Sequence, residues 1–238
     1  MTTPLFRDDA YLRSCDAEIV AVAEDGGIVL DRTVFYATGG GQPGDIGHLE
    51  LPDGTKLSIS STVYGADRTE IRHRAADGIS LPQAGTRVVA HIDWPRRYRL
   101  MRTHTALHLL SVVLPFPVTG GQIGEGEGRL DFDIPEATLD KDEIAEKVNG
   151  IAEQDHVVTT EWITDAELEA NPGLVKTMSV KPPMGSGRVR LVRIGEGVDL
   201  QPCGGTHVSR TSEIGRIIVS KIEKKGRQNR RVRIQLED

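Results

Sequence analysis

The sequence predicts an α+β fold in two parts, with a boundary after residue 93. Residues 1–93 contain short segments of alternating apolar and polar side chains between turn residues, which is the pattern of a small β-barrel. Residues 94–238 begin with a long helical pattern and then mix helices with strands. Pro95 marks the change, because proline disfavours a helix or strand that continues through the preceding residue.

Four stretches of the first part carry the strand pattern. They are residues 18–22, 27–30, 56–59 and 87–92. Asp-Gly pairs mark turns at residues 25–27, 52–54 and 77–78, since both residue types favour tight turns. Several short strands with this spacing favour a barrel over a helical domain.

The second part begins with a helix over residues 96–114, whose apolar side chains recur at helical spacing and which Pro115 ends. A glycine-rich loop or hairpin at residues 120–128 leads into a strand at residues 129–134. The helices that follow are residues 140–155, with one apolar face, and a short helix that a capping box opens at residues 164–167. Three further strands are predicted at residues 188–194, 215–222 and 231–236.

The composition is that of an ordinary globular protein, with 38% hydrophobic and 27% charged residues among 238. Cys15 and Cys203 are the only cysteines, so a disulfide framework is not expected and a reducing cytoplasmic location is the simplest interpretation. No run of about 18 apolar residues is present, so we expect no membrane-spanning helix.

Charge is distributed unevenly along the chain. The net charge of −6 argues against a protein that coats nucleic acid. Residues 219–238 nevertheless hold seven cations and three anions, so this tail carries +4 and the rest of the chain −10. Such a tail can contact phosphates, although the same pattern is typical of a solvated surface.

Two short motifs have the spacing of metal ligands. His104 and His108 lie four residues apart on the predicted helix and therefore on one face of it. Cys203 and His207 flank two glycines and a threonine, in a segment flexible enough to fold round an ion. Three nitrogens and one sulfur suit tetrahedral zinc. Each pair alone is a weak signal, because two histidines at this spacing are more often accidental or part of a core, and a lone cysteine is usually a small buried hydrophobe.

Longer strings around these residues resemble the editing domain shared by alanyl- and threonyl-tRNA synthetases. They are residues 102–110, the Cys-Gly-Gly-Thr-His-Val string at 203–208 and the Thr-Ser-Glu-Ile-Gly string at 211–215. Residues 35–47, which include Gly-Gly-Gly-Gln-Pro-Gly-Asp-Ile-Gly, resemble the glycine motif of the medium-length AlaX proteins. Those are freestanding alanyl-tRNA editing factors with a small β-barrel ahead of the editing domain. The resemblance covers nearly the whole chain in the same order, and implies a two-layer α/β editing domain over residues 94–238.

The resemblance assigns roles to particular residues. It implies one zinc ion held by His104, His108, Cys203 and His207. It also implies a pocket in which Gln122 acts with the zinc ligands His104 and Cys203 in catalysis. The substrate-binding residues would be Gly39, Gly40, Gly41, Gln42, Gln122 and Thr206. The glycine run is also what a tight barrel turn requires.

The implied substrate is tRNA(Ala) charged with serine or glycine, whose ester bond the enzyme would hydrolyse. The tail would contact the tRNA backbone through Lys221, Lys224, Lys225, Arg227, Arg230 and Arg231. Two departures from the family bear on serine recognition. Leu107 replaces a hydroxyl residue before the second zinc histidine, and Glu125 replaces a serine after the Gln-x-Gly string.

Four protein ligands raise a question about the role of the zinc ion. A closed tetrahedral shell is typical of structural zinc, whereas catalytic zinc keeps one position open. Either one ligand, for which His207 is the candidate, is displaced by water or substrate, or the ion remains closed and holds the pocket in shape. The sequence leaves both open.

Two other functions fit the same residues. One is a non-catalytic RNA-binding module with a structural zinc, and the other is a metal hydrolase of a small ester or amide. No segment was found to resemble an ATP-binding class II synthetase core, so we expect neither aminoacylation nor use of ATP. The oligomeric state is left open.

Overall fold

The computed structural model describes residues 1–76, 81–134, 139–175 and 187–237. The turn predicted at residues 77–78 lies outside these ranges. The chain divides into two compact units, Met1–Tyr98 and Arg99–Asp238. This division falls inside the first helix, and the domain boundary after residue 93 stays a prediction.

The first unit is a closed six-stranded barrel. Its strands run in the order β2-β3-β7-β6-β5-β8, and a short parallel pair, β1 with β4, accompanies them. The strands are β1 (Thr3–Pro4), β2 (Ser14–Val22), β3 (Ile28–Leu30), β4 (Arg32–Thr33), β5 (Gly47–Glu50), β6 (Lys56–Tyr64), β7 (Ile71–Ala75) and β8 (Arg87–Ile92).

Alternation along the strands fills the barrel. Ile19, Leu30, Leu49 and Ala90 are fully buried on neighbouring strands and pack with Phe35 in one cluster. Since successive side chains of a strand point to opposite faces, the polar residues between them face outward. The predicted small barrel is therefore present.

The glycine motif forms a tight turn beside this barrel. Gly39 and Gln42 exchange backbone hydrogen bonds of 3.1 and 2.9 Å. Between them Gly40 and Gly41 have φ of +56° and +83°, a conformation that other residues rarely adopt. Asp45, later in the motif, is buried and pairs with the fully buried Arg97 through Nε at 3.0 Å.

The second unit is α+β. Its elements are α1 (Trp94–Val113), whose first turn belongs to the first unit, β9 (Val118–Ile123), β10 (Glu127–Asp133), α2 (Lys141–Ala152), β11 (Val158–Thr164), α3 (Asp165–Ala170), β12 (Arg188–Ile194), β13 (Asp199–Pro202), β14 (Ile217–Lys225) and β15 (Asn229–Leu236). One sheet has the order β14-β15-β10-β9, and the other has the order β11-β12-β13.

Helix α1 starts two residues earlier than predicted, at Trp94. The backbone N–H of Arg96 donates to the Asp93 carboxylate at 3.1 Å, which caps the first turn. Pro95 falls within that turn, where a missing N–H costs nothing. Pro95 therefore lies inside the first turn of the helix, and the change from strand to helix falls at Asp93, between β8 and α1.

The sequence predicted no strand at β1, β4, β5, β7, β11 or β13. Outward-facing charged and polar side chains interrupt the apolar pattern of β5 and β7, and β11 is exposed or half-buried throughout. The glycine-rich stretch predicted at residues 120–128 contains the last four residues of β9 and the first two of β10. The capping box at Thr164 and Glu167 is present as predicted. Among the described residues, no helix is both long and apolar enough to cross a membrane.

Candidate metal centre

Four predicted ligands meet in the second unit. Helix α1 provides His104 and His108, and the loop after β13 provides Cys203 and His207. Their candidate ligand atoms all lie within 4.8 Å of one another. The three imidazoles are buried, with 5–7% of their surface exposed, and Cys203 is half-buried. This cluster could hold a metal ion.

The sulfur of Cys203 lies at the centre of the short contacts. It is 3.5 Å from Nε2 of His104 and 3.3 Å from Nε2 of His207. The backbone N–H of Gly205 also donates to it at 3.4 Å. A thiolate accepts the Gly205 N–H better than a thiol does.

Residues behind the histidines decide which ring nitrogen faces the cluster. Nδ1 of His108 lies 3.0 Å from Oδ2 of Asp199, a buried carboxylate that can only accept. His108 therefore donates through Nδ1, and its Nε2 is the ring nitrogen on the side of the cluster. The amide of Gln201 donates to the same Asp199 oxygen at 2.7 Å and holds the carboxylate in place.

His207 is oriented in the same way by a hydroxyl group. Oγ1 of Thr105 donates to the carbonyl of Met101 at 3.0 Å, as a helical threonine commonly does. Its oxygen then accepts from Nδ1 of His207 at 3.1 Å. Nε2 of His207 is thus left as an acceptor on the side of Cys203.

The electrostatics of the cluster favour a bound cation. Burial alone would raise the pKa of the Cys203 thiol, but His104 and His207 outweigh burial and hold that pKa well below its ordinary value. Burial lowers the pKa of His207 well below the ordinary value. Burial also opposes the charged form of His108, but hydrogen bonds with Asp199 and Cys203 raise its pKa to about 9. The thiolate and Asp199 therefore stabilise positive charge between them, which a metal ion supplies.

A buried arginine holds the loop that contains Cys203 and His207, which we call the ligand loop. The Arg190 guanidinium donates through Nη1 to the carbonyl oxygens of Cys203 at 2.9 Å and Gly205 at 3.0 Å. The backbone N–H of Cys203 donates in return to the Arg190 carbonyl at 3.0 Å. Arg190 thus ties the loop to strand β12.

Sequence reasoning missed the residues that support the ligands. Asp199 and Gln201 are buried, and their neighbours on β13 are half-buried. Cys203 follows Gln201 by two residues, so all three side chains lie on one side of the extended chain. Polar residues at this spacing before a candidate ligand are a signal that could have been used. Thr105 and Arg190 have no comparable signal, because their contacts are distant in sequence.

Gln122 lies on β9 with its side chain exposed, and its Oε1 accepts from Nε of Arg129 at 3.2 Å. Its neighbour Ile123 pairs with Gly128, and a Cβ on Gly128 would lie about 3 Å from Thr103 and Leu107 of helix α1. Because side chains alternate, Gln122 is on the sheet face away from α1. The structure does not bring Gln122 together with the ligands on that helix.

The other predicted pocket residues divide between the two units. Thr206 is fully buried in the ligand loop. Gly39, Gly40, Gly41 and Gln42 belong to the first unit, where they form the turn described above. Because Gly40 and Gly41 have positive φ, the turn requires glycine at these positions whether or not a ligand binds there.

The predicted tRNA-binding cations lie on the β14–β15 hairpin. Arg231 pairs with Asp131 at 2.7 Å, and Lys221 and Lys225 lie 3.3 and 3.9 Å from Glu223. Nη1 of Arg230 donates to the carbonyl of Asn229 at 3.2 Å. Lys224 and Arg227 are exposed, and no ion pair of either is found in the described ranges.

The fold and the cluster define a two-unit α+β protein with a candidate metal centre, and similarity to known proteins agrees with both units. Residues 189–233 match the family model of the threonyl and alanyl tRNA synthetase second additional domain. Residues 11–96 match the model of class II (A) tRNA synthetases. This second match does not test the expectation that the chain lacks an ATP-binding class II core. The matched segment contains the whole closed barrel.

Full-length relatives show the family. The chain is 37% identical to alanyl-tRNA editing protein AlaX-M of Methanosarcina acetivorans, with 100% of both chains covered. It is 33% identical to AlaX-M of Saccharolobus solfataricus, with 98% of each covered. It is also 34% identical to the alanine–tRNA ligase of Pyrobaculum calidifontis, where the match covers 94% of this chain and 25% of the ligase. The chain therefore belongs to the AlaX family of alanyl-tRNA editing proteins, and it is an enzyme.

Proposed function

We propose that this aminoacyl-tRNA hydrolase is a trans-editing enzyme that uses zinc to remove serine or glycine, or both, from mischarged tRNA(Ala). It would carry out no aminoacylation. Membership of the AlaX family supports the reaction class and the tRNA. The observation that supports a metal-dependent site is the convergence of His104, His108, Cys203 and His207 within 4.8 Å.

Zinc is the metal that this donor set fits best. Three neutral imidazoles and a thiolate match its preference for tetrahedral nitrogen and sulfur ligands. Asp199 and Thr105 engage Nδ1 of His108 and His207, so each ring would present Nε2 to the ion, as the outer residues of zinc sites arrange. When bound, zinc supplies Lewis acidity, which polarises a carbonyl or lowers the pKa of a nearby water.

The ligand loop is exposed to solvent at Gly204, where the aminoacylated end of the tRNA could reach the cluster. Gly204 is exposed, and a Cβ built on it would meet no atom within 4 Å. Cys203 beside it is half-buried, whereas the three histidines are buried. We therefore propose that the ester approaches along Gly204, with the cluster and Thr206 behind it. An aminoacyl ester is already activated, so placing water and stabilising the oxyanion are sufficient tasks for the site.

The two histidines with identified supporting residues differ in how firmly they are held. His108 donates to a buried carboxylate, but His207 donates to a neutral hydroxyl, and charged acceptors make stronger hydrogen bonds. Of these two ligands, His207 is therefore the one we propose to be displaced if the metal opens a position for substrate. A site that stays closed would instead leave zinc with the role of holding the ligand loop.

The proposal also includes Gln122, which has to change its hydrogen bonding to act, and the glycine turn of the first unit. To place water, Gln122 has to release Arg129, with which it shares a 3.2 Å hydrogen bond. The turn of Gly39, Gly40, Gly41 and Gln42 would bind the terminal nucleotide through the backbone N–H groups of Gly40 and Gly41, because those of Gly39 and Gln42 donate to each other's carbonyl oxygens. The tRNA body would contact the exposed Lys224 and Arg227 first, with Lys221, Lys225, Arg230 and Arg231 beside them.

A deacylation assay tests the proposal. Ser-, Gly- and Ala-tRNA(Ala) are incubated with the zinc-loaded enzyme, with the enzyme stripped by chelator and reloaded, and with His104→Ala and Cys203→Ala. We expect loss of serine or glycine from tRNA(Ala), no loss of alanine, and no activity in the stripped enzyme or either variant. Cys15→Ala is the matched control, because Cys15 lies in the first unit and should leave activity unchanged.

Other results would support the alternatives. Binding of tRNA without release of the amino acid would make the protein an RNA-binding module. Hydrolysis of a free amino acid ester at the same rate as the tRNA ester would make it a small-molecule hydrolase. Full deacylation by a protein shown to contain no zinc would overturn the metal-dependent mechanism.

A further inference from the structure

A second group of metal-ligand side chains lies on the first unit. His48 and Glu50 belong to β5, and His91 belongs to β8. Leu49 and Ala90, their neighbours along the strands, are fully buried inside the barrel. Because side chains alternate, the three polar residues share the outer face. They serve no role in the proposed deacylation.

The strand register fixes how these side chains meet. His48 pairs directly with His91, and Gly47 pairs with Ile92. A Cβ on Gly47 would lie 2.0 Å from the His91 carbonyl oxygen, so only glycine permits this close approach of the strands. The two imidazole rings stack with centroids 4.7 Å apart and planes inclined by 13°. Their relative position is therefore set by the barrel and not by flexible loops.

Glu50 provides a third donor on the same outer face of the barrel. Glu50 is two residues from His48 on the same strand and face, and its Oε2 lies 3.9 Å from Nε2 of His91. One ligand atom from each residue lies within 4.8 Å of the other two. The side chains of His91 and Glu50 are 33% and 38% exposed, so an ion has access from solvent.

One nitrogen in this group has no partner in the described structure. Nε2 of His48 is buried, and no hydrogen bond reaches it from the described residues. A buried polar atom without a partner is costly, and native proteins rarely leave one. A ligand beside His48 would satisfy this atom.

We propose that His48, Glu50 and His91 form a second metal site, which binds one divalent transition-metal ion on the outer face of the barrel. Two imidazoles and a carboxylate suit zinc and its neighbours in the first transition series, whereas Mg²⁺ and Ca²⁺ prefer oxygen ligands throughout. Three protein donors leave coordination positions open for water or an anionic oxygen. The site is independent of the cluster around Cys203.

Two features make this site weaker than the cluster in the second unit. Donors about 2.1 Å from one ion are at most about 4.2 Å apart, so the half-exposed rings have to turn slightly to close round it. Lys56 pairs with Glu50 across the strands, and its Nζ lies 3.9 Å from Oε2 of Glu50. The ammonium group competes for the carboxylate and repels a cation, so its removal should strengthen binding.

Metal stoichiometry tests the proposal on the full chain. Zn²⁺ bound per chain is measured by equilibrium dialysis and elemental analysis for the wild type and five variants. We expect two ions in the wild type and in His156→Gln, a control at a histidine outside both groups. Glu50→Gln and His91→Asn should each lose one ion, with affinity for it reduced on the order of tenfold or more. Lys56→Gln should bind that ion about fivefold more tightly.

The fifth variant, Cys203→Ser, separates this site from the proposed catalytic one. An ion that remains in Cys203→Ser and is lost in His91→Asn supports the second site, even if the cluster around Cys203 binds nothing. Imidazole resonances of His48 and His91 that shift on adding Zn²⁺ would support it as well. The proposal is overturned if Glu50→Gln, which keeps the shape of the side chain, and His91→Asn both bind as many ions as the wild type.

Discussion

Asp199 lies 3.0 Å from Nδ1 of His108, and this contact fixes which ring nitrogen faces the candidate metal centre. The corresponding partner of His207 is the hydroxyl group of Thr105, at 3.1 Å. Two ligands of one cluster are thus held by acceptors of different strength. The difference leads to a first prediction about the metal.

Asp199→Asn should weaken metal binding by 10–100-fold, because the amide is a poorer acceptor for His108 and no longer favours its ligand tautomer. Competition with a chelator of known affinity measures the change. Glu196→Gln, an exposed change three residues earlier, is the control and should bind as the wild type does. Equal affinity in Asp199→Asn and the control would show that this carboxylate does not support the ligand.

Arg190→Lys should loosen the ligand loop although it preserves the charge. One ammonium group cannot reproduce the guanidinium that donates to the carbonyls of both Cys203 and Gly205. We expect faster zinc release and a loss of about 1–3 kcal/mol in the free energy of unfolding. Zinc transfer to a colorimetric chelator and urea denaturation measure the two effects. Arg193→Lys, whose half-exposed side chain pairs with Glu161, should change neither by a comparable amount.

Asp45→Asn should destabilise the barrel unit strongly. Asp45 lies in the glycine motif, and its carboxylate neutralises the buried guanidinium of Arg97 and accepts the Tyr36 N–H at 2.6 Å. Removal of one member of a buried ion pair typically costs about 3–5 kcal/mol. Thermal unfolding measures the loss. A stability within error of the wild type would mean that the motif aspartate has no structural role.

Acid should destabilise the barrel through His73. This histidine is fully buried, and burial lowers its pKa to about 4. The unfolded chain binds the proton near the ordinary pKa of about 6.5, so stability is complete above that pH and falls as the pH decreases toward 4. The loss from this group should reach about 3 kcal/mol by pH 4. Urea denaturation at several pH values measures it, and His73→Gln should show a shallower pH dependence than His156→Gln.

Lys224 and Arg227 should contribute to tRNA binding without contributing to stability. Both are exposed on the β14–β15 hairpin, and the double alanine variant should reduce the slope of log affinity against log salt by about two. Arg231→Ala should instead lower the melting temperature, because Arg231 makes two hydrogen bonds to Asp131 at 2.7 and 2.8 Å. An unchanged salt slope in the double variant would argue against tRNA contact at this turn.

Elements with strong local signals were predictable. Helix α1 has apolar residues at helical spacing and no internal glycine, and the capping box at Thr164 marks the start of α3. Strands with polar outer faces were missed, since β5 and β11 interrupt the apolar pattern. The change from strand to helix falls beside Pro95 as predicted, but the helix starts two residues earlier, because a proline in the first turn is compatible with a helix.

The α+β class, the order of a barrel before a helix-led unit and the four candidate ligands could all be predicted from the amino-acid sequence. Each of these predictions depends on a local pattern: alternation along strands, helical spacing, or two motifs whose residues are four apart. The folded chain was needed to show that Asp199, Thr105 and Arg190 support those ligands. It also showed that Gln122 lies on the sheet face away from α1 and that His48 stacks on His91. These relationships join residues that are distant in sequence, or depend on which face a strand presents, and strand register and burial fix them only when the chain is folded.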